Sequence, residues 1–235
     1  MTPDLLKNEV AEIFSSIQGE GPFLGERHLF VRFAACHLNC EYCDETDKEA
    51  EEMTGREILE EIRRLDRIAG PHAFVSFTGG EPLLYWETIR SIAPVLREEG
   101  FRVYLETNGV LCGELEKVLA CVDAVSMDIK LPSVTKDKAC FEDHRRFLRA
   151  AAEKDVHVKI ILSEDADAGE FDRAVDIIAG VNPDILLALQ PVTVCGKEEI
   201  DGTLMEFLQQ LQRRALLKLR NVRILPRLHK ILGIQ

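Results

Sequence analysis

Three cysteines fall within eight residues, in the stretch CHLNCEYC: Cys36, Cys40 and Cys43, spaced C-x3-C-x2-C. Thiolates are soft ligands suited to zinc or to iron–sulfur clusters. A structural zinc site or a closed cluster usually takes four protein ligands. Three therefore leaves two readings. Either His37, His28 or a distant cysteine completes a zinc site, or a four-iron cluster keeps one iron open for a small molecule. His37, between the first two cysteines, has the look of a solvated loop residue. Cys112, Cys121, Cys140 and Cys195 stand singly and read as small buried apolar side chains.

Short β-rich runs alternating with helical stretches must position this loop. HLFVRFA (28–34) reads as the strand that leads into it. Further strands are expected at 73–79, 101–107, 123–129, 156–162, 184–190 and 221–226. Helical patterns lie at 54–68, 86–99, 113–120, 137–154, 168–180 and 202–219, the first opened by Thr54 as N-cap with Glu57 completing a capping box. Strands separated by helices of this length indicate parallel βαβ units, and continuous apolar strands indicate helices covering both faces. The fold class is α/β: an incomplete β/α barrel with mostly parallel strands, as a single domain over residues 1–235. A doubly wound sheet is the second choice, weakened by the lack of G-x-G-x-x-G after the first of these strands. In a barrel, chemistry gathers at the carboxyl ends of the strands. The cysteine loop, TGGEP, ETNG, DIK and QP each follow a predicted strand and would share one mouth.

Composition sets the surroundings. With 46% apolar and 30% charged residues the chain reads as an ordinary globular protein. A net charge of −12 argues against nonspecific nucleic-acid binding, which needs many cationic contacts to phosphate. No apolar run approaches the roughly 18 residues needed to span a bilayer, so no membrane partner is expected. The start, MTPDLLKNEV, lacks the layout of a signal peptide, and a cytoplasmic setting is expected. Seven cysteines is an odd number, and reducing conditions disfavour a disulfide framework.

The cysteine spacing, with Tyr42 before the last cysteine and GGEP at 79–82, resembles the radical S-adenosylmethionine enzymes. IFSSIQGEGPFLGERHLFVRFAACHLNC (13–40) narrows the resemblance to the 7-carboxy-7-deazaguanine synthases, supported by LETNG (105–109), SMDIKLPS (126–133), LQPV (189–192) and RILPRLHKIL (223–232). Such an enzyme is a lyase of queuosine and deazapurine biosynthesis. Its [4Fe-4S] cluster cleaves S-adenosylmethionine to a 5′-deoxyadenosyl radical. That radical starts the contraction of 6-carboxy-5,6,7,8-tetrahydropterin to 7-carboxy-7-deazaguanine, with loss of ammonia and assistance from Mg2+. The resemblance also implies a flavodoxin or ferredoxin as electron donor, and a homodimer. The basic stretch QRRALLKLR (212–220) is a candidate docking surface for that donor.

Carried over residue by residue, the resemblance gives the cluster to Cys36, Cys40 and Cys43. S-adenosylmethionine goes to Tyr42, Asp44, Gly80, Glu81, Glu106, Asn108, Ser126, Lys130 and Gln190, and the pterin to Ile17, Gln18, Gly19, Glu20, Arg32, Thr78 and His229. No residue is assigned as a catalytic acid or base. Gln18 and Glu20 offer the donors and acceptors that an amide edge needs. Arg32 suits a substrate carboxylate. The family commonly has a hydroxyl residue after Cys-Asp as a magnesium ligand; here the run is CDETD, so Glu45 stands at that place and Thr46 follows. A carboxylate is a good hard ligand for Mg2+. The acidic run from Glu41 to Glu52 otherwise reads as solvated loop. Rival readings are a glycyl-radical activating enzyme and, without catalysis, an iron–sulfur binding module.

Overall fold

The computed structural model describes residues 6–45, 49–192 and 202–234. Its strands are β1 (Lys7–Ile17), β2 (Arg27–Phe33), β3 (Glu51–Thr54), β4 (Phe74–Gly79), β5 (Arg102–Thr107), β6 (Ala124–Asp128), β7 (Asp155–Leu162), β8 (Leu187–Pro191) and β9 (Val222–Ile224). The helices are α1 (Gly55–Ala69), α2 (Trp86–Glu98), α3 (Cys112–Val118), α4 (Pro132–Thr135), α5 (Phe141–Ala151), α6 (Ala168–Ala179), α7 (Gly202–Ala215) and α8 (Leu228–Leu232). Every strand from the sequence reading is present. Two more, β1 and β3, were not expected.

All nine strands form one sheet in the order β3-β1-β2-β4-β5-β6-β7-β8-β9. From β2 to β9 each strand lies parallel to its predecessor. A doubly wound sheet reverses its strand order at a switch point; this one extends in a single direction, as a barrel wall does. β1 runs antiparallel to β2, and β3 antiparallel to β1. Among the described residues β9 pairs with β8 alone, so the barrel is incomplete.

Alternation along the strands sorts the side chains. Leu29, Val31 and Phe33 of β2 join Val75, Phe77, Val103, Leu105, Val125, Met127, Val158 and Ile160 in the core under the helices. The intervening residues, among them Arg32, Thr78, Glu106, Asp128 and Lys159, face the barrel interior and line one cavity. Below them Phe23, Phe74, Tyr104 and Ala124 form a separate apolar floor, and His28 stacks on Phe74 with ring centroids 4.5 Å apart. At α1 the capping box is formed as expected: Thr54 Oγ1 accepts the Glu57 N–H at 3.3 Å, and Glu57 accepts the Thr54 N–H at 2.7 Å. Among the described residues no helix is long and apolar enough to cross a membrane.

Two expectations are corrected. Cys140 is buried, but Cys112 and Cys121 are half-buried at the rim of the core; Cys195 lies outside the described residues. The acidic run 41–52 ends in strand, because Glu51 and Glu52 pair with β1 and Lys7 forms an ion pair with Glu52. The basic stretch 212–220 is already matched by acid: Arg214 pairs with Asp172, Lys218 with Asp176 and Arg220 with Asp184. All three cations stay about half exposed or more.

Candidate active site

The loop after β2 carries the three cysteines and rests on the end of α4 and the residues just after it. Asn39 N–H donates to Asp137 at 2.8 Å, and Glu41 N–H donates to the Thr135 carbonyl at 2.9 Å. Cys36 and Cys43 are exposed and Cys40 half-buried, all as free thiols. His37 is exposed on the same loop, as read from the sequence. Burial pushes the Cys36 thiol up and the Cys40 thiol to about 11; a bound metal would remove both protons. Among the described residues no three His, Cys, Asp or Glu side chains are gathered tightly enough for one metal ion. A cluster takes each sulfur on a different iron, so an open three-sulfur loop suits a cluster.

The GGEP turn abuts this loop. Gly79 has φ +118°, and a Cβ there would sit 2.1 Å from the Phe33 carbonyl oxygen. A Cβ on Gly80 would lie 2.3 Å from the Ala35 carbonyl. The glycines are thus required by the backbone that enters the cysteine loop, before any ligand is considered. Glu81, assigned to S-adenosylmethionine, turns inward instead and does not line the cavity. It is fully buried and accepts from Leu83 N–H at 3.0 Å, Thr107 Oγ1 at 2.8 Å and Asn108 N–H at 2.8 Å. Burial raises it to about 7 despite these donors. Its side chain ties the GGEP turn to the ETNG turn, leaving the backbone of Gly80 to face a ligand.

The cavity measures about 290 Å³, and every remaining described residue from the sequence reading lines it. Thr46 lies outside the described residues. On the cluster side Lys130 Nζ donates to Tyr42 Oη at 3.1 Å and to Asp128 Oδ2 at 2.7 Å. Burial opposes the Lys130 charge, but Asp128, Tyr42 and Cys40 outweigh it and hold the ammonium well above its ordinary range. Ser126 and Asn108 line the same side.

On the opposite wall Gln18 donates to Glu106 at 2.9 Å, and its carbonyl oxygen accepts the Glu20 N–H at 3.0 Å. Glu20 pairs with Lys159 at 2.6 Å and accepts from Gln190 at 3.2 Å. Burial opposes ionisation of Glu20, but the Lys159 charge and hydrogen bond, with His229 and Arg227, hold it down at about 2. Burial raises Glu106, with the Glu20 charge adding to it. Glu106 and Gln190, both assigned to S-adenosylmethionine, therefore belong geometrically with Gln18 and Glu20.

Arg32 stands between these groups, with Nε 2.7 Å from Glu12 and Nη1 2.9 Å from Glu45. Asp44 pairs with Arg227 at 2.7 Å and Lys230 at 3.5 Å, so α8 is fastened to the cluster loop. Leu228 N–H donates to the Gly19 carbonyl at 2.9 Å, and a Cβ on Gly19 would sit 1.9 Å from His229. His229 is thereby packed against the QGEG turn at the mouth. For Mg2+ the fit rests on one carboxylate, Glu45, at the rim beside Arg32; magnesium keeps several waters and commonly takes only one or two carboxylates.

Sequence reasoning missed Lys159, Asp128, Arg227 and Glu12. Lys159 did leave a signal: with Asp155 and His157 it places three polar side chains on one face of a strand whose other face is apolar.

Residues 30–163 match the Radical SAM superfamily model. The chain is 41% identical to 7-carboxy-7-deazaguanine synthase of Geobacter sulfurreducens, covering 96% of this chain and 97% of that one. It is 33% identical to the protein of the same name in Methanocaldococcus jannaschii, covering 96% and 99%. The crystal structure of QueE from Escherichia coli superposes with a TM-score of 0.64 at 18% identity, covering 95% of each chain, a likeness of fold. By its cysteine loop, its partial barrel and its full-length relatives, the chain belongs to the 7-carboxy-7-deazaguanine synthase family of radical S-adenosylmethionine enzymes.

Proposed function

We propose that this chain, as one domain over residues 1–235, converts 6-carboxy-5,6,7,8-tetrahydropterin to 7-carboxy-7-deazaguanine with loss of ammonia. It is then a carbon–nitrogen lyase of deazapurine biosynthesis. The observation that carries the reading is one cavity with two unlike walls: three cluster-type cysteines on one, and a buried amide-and-carboxylate group on the other. The full-length relatives support small-molecule chemistry over activation of a protein partner.

When bound, the cluster and S-adenosylmethionine supply the one-electron chemistry that removes hydrogen from the substrate. The chain's own residues hold and orient. Lys130 fixes Tyr42 and Asp128 on the cofactor side. Gln18, Glu20, Glu106 and Gln190 present donors and acceptors to the pterin's amide edge. Lys159 holds Glu20 ionised and in place. Arg32 compensates the substrate carboxylate, its fork kept in position by Glu12 and Glu45. Glu45 is the described candidate for a magnesium ligand. His229 and Arg227 close the mouth against the QGEG turn and the cluster loop. A flavodoxin or ferredoxin as donor, a homodimer and a cytoplasmic setting complete the proposal.

The test is anaerobic incubation of the reconstituted protein with dithionite, S-adenosylmethionine and the pterin. The pterin should be consumed with S-adenosylmethionine regenerated, and without any partner protein. Cleavage that appears only with a protein partner would favour an activating enzyme.

A further inference from the structure

We infer that Asn108 tunes the metal centre: its side-chain amide donates to the Cys36 sulfur and sets how readily a cluster held there is reduced. This rests on the reading of Cys36, Cys40 and Cys43 as cluster ligands. Asn108 opens the turn after β5 and is 6% exposed. Its Oδ1 accepts the Val110 N–H at 3.2 Å, which assigns the amide and turns the Nδ2 group the other way. Nδ2 then lies 4.0 Å from Cys36 Sγ, within reach of a long N–H···S contact.

The backbone of Asn108 is clamped from both sides. Its N–H donates to Glu81 Oε2 at 2.8 Å, and its carbonyl accepts from His144 Nε2 at 3.1 Å. Glu81 and His144 are both fully buried. Neither touches the cysteines by hydrogen bond; each holds the residue that does. This explains two buried polar side chains that the mechanism leaves without a role. A second donor, the Leu38 N–H, reaches the same sulfur at 3.5 Å.

A ligated thiolate carries negative charge, and reduction adds more to the cluster and its sulfurs. A donor aimed at the sulfur stabilises the reduced state more than the oxidised one and raises the potential. Asn108 does this without adding net charge to the site.

The experiment is a potentiometric titration, followed by electron paramagnetic resonance, on the cluster-reconstituted full chain and on Asn108→Ala and Asn108→Asp. The aspartate keeps an oxygen for the Val110 N–H but replaces the donor with an anionic oxygen. Both variants should show a midpoint more negative than wild type, with Asn108→Asp shifted further. A midpoint does not depend on occupancy, so a poorly loaded variant still reports. An unmoved Asn108→Ala overturns the inference, and so does a shift confined to Asn108→Asp, which would trace to charge alone. A wild-type chain that takes up no iron overturns the cofactor reading together with this one.

Discussion

Replacing Lys159 with methionine separates the buried charge network from the surrounding fold. Lys159 and Glu20 are each 15% exposed and 2.6 Å apart, with Asp128 3.9 Å from the same ammonium. Methionine fills a similar volume but leaves Glu20 without its cation, while Asp128 keeps Lys130 at 2.7 Å. Removing one partner of a buried pair costs about 3–5 kcal/mol. For a chain of this size each kcal/mol moves Tm by roughly 2–4 °C, so a drop of roughly 6–20 °C is expected at neutral pH. The pH dependence carries a sign of its own. The Glu20 carboxyl sits at about 2, below its ordinary 4.5. It therefore contributes stability above pH 4.5 that is lost as pH falls toward 2, amounting to about 3 kcal/mol. Circular-dichroism melts between pH 3 and pH 8 should show a steep acid limb in wild type and a flatter one in Lys159→Met. Where that variant turns over, its KM for the pterin should rise roughly 10- to 100-fold, as expected for one lost charged hydrogen bond. A melt within 2 °C of wild type (roughly the effect of one exposed contact) would refute the reasoning.

Three other perturbations test separate parts of the structure. Gly79→Ala forces a Cβ against the Phe33 carbonyl at φ +118° and should cost roughly 3 kcal/mol or more, with iron content falling in parallel; a normal melt with full iron contradicts the packing role. Glu45→Ala should abolish any stimulation of turnover by Mg2+ while iron content stays intact, and an unchanged magnesium titration excludes Glu45 as a ligand. Thr54→Ala removes the N-cap of α1, and the expected loss is about 1 kcal/mol in chemical denaturation with kcat unchanged. A larger loss would mean that the cap also supports the edge strand β3.

The parallel strands were legible because each is a short apolar run between helical patterns, buried on the outer face by helices. β1 was not, for a physical reason. A register shift between Val10 and Glu12 breaks its alternation, and its inner face carries Glu12 into the cavity. β3 hid in an acidic run, because an edge strand tolerates charge on both faces. The cysteine loop and the glycine turns could be read from local spacing. The network behind them could not: Asp128 meets Lys159 only through the register of β6 and β7, and Lys159 and Arg227 reach Glu20 and Asp44 across more than a hundred residues of sequence. Glu81 shows the converse. Its motif was read correctly, yet its carboxylate serves the backbone of two turns and does not face the cavity.

The most direct measurement is mass spectrometry of the small molecules after anaerobic turnover of the reconstituted chain with dithionite, S-adenosylmethionine, Mg2+ and 6-carboxy-5,6,7,8-tetrahydropterin. The two-walled cavity predicts a product lighter than the substrate by one ammonia, with S-adenosylmethionine regenerated. Accumulation of 5′-deoxyadenosine beside unchanged pterin would contradict the assignment of the Gln18–Glu20–Lys159 wall to that substrate.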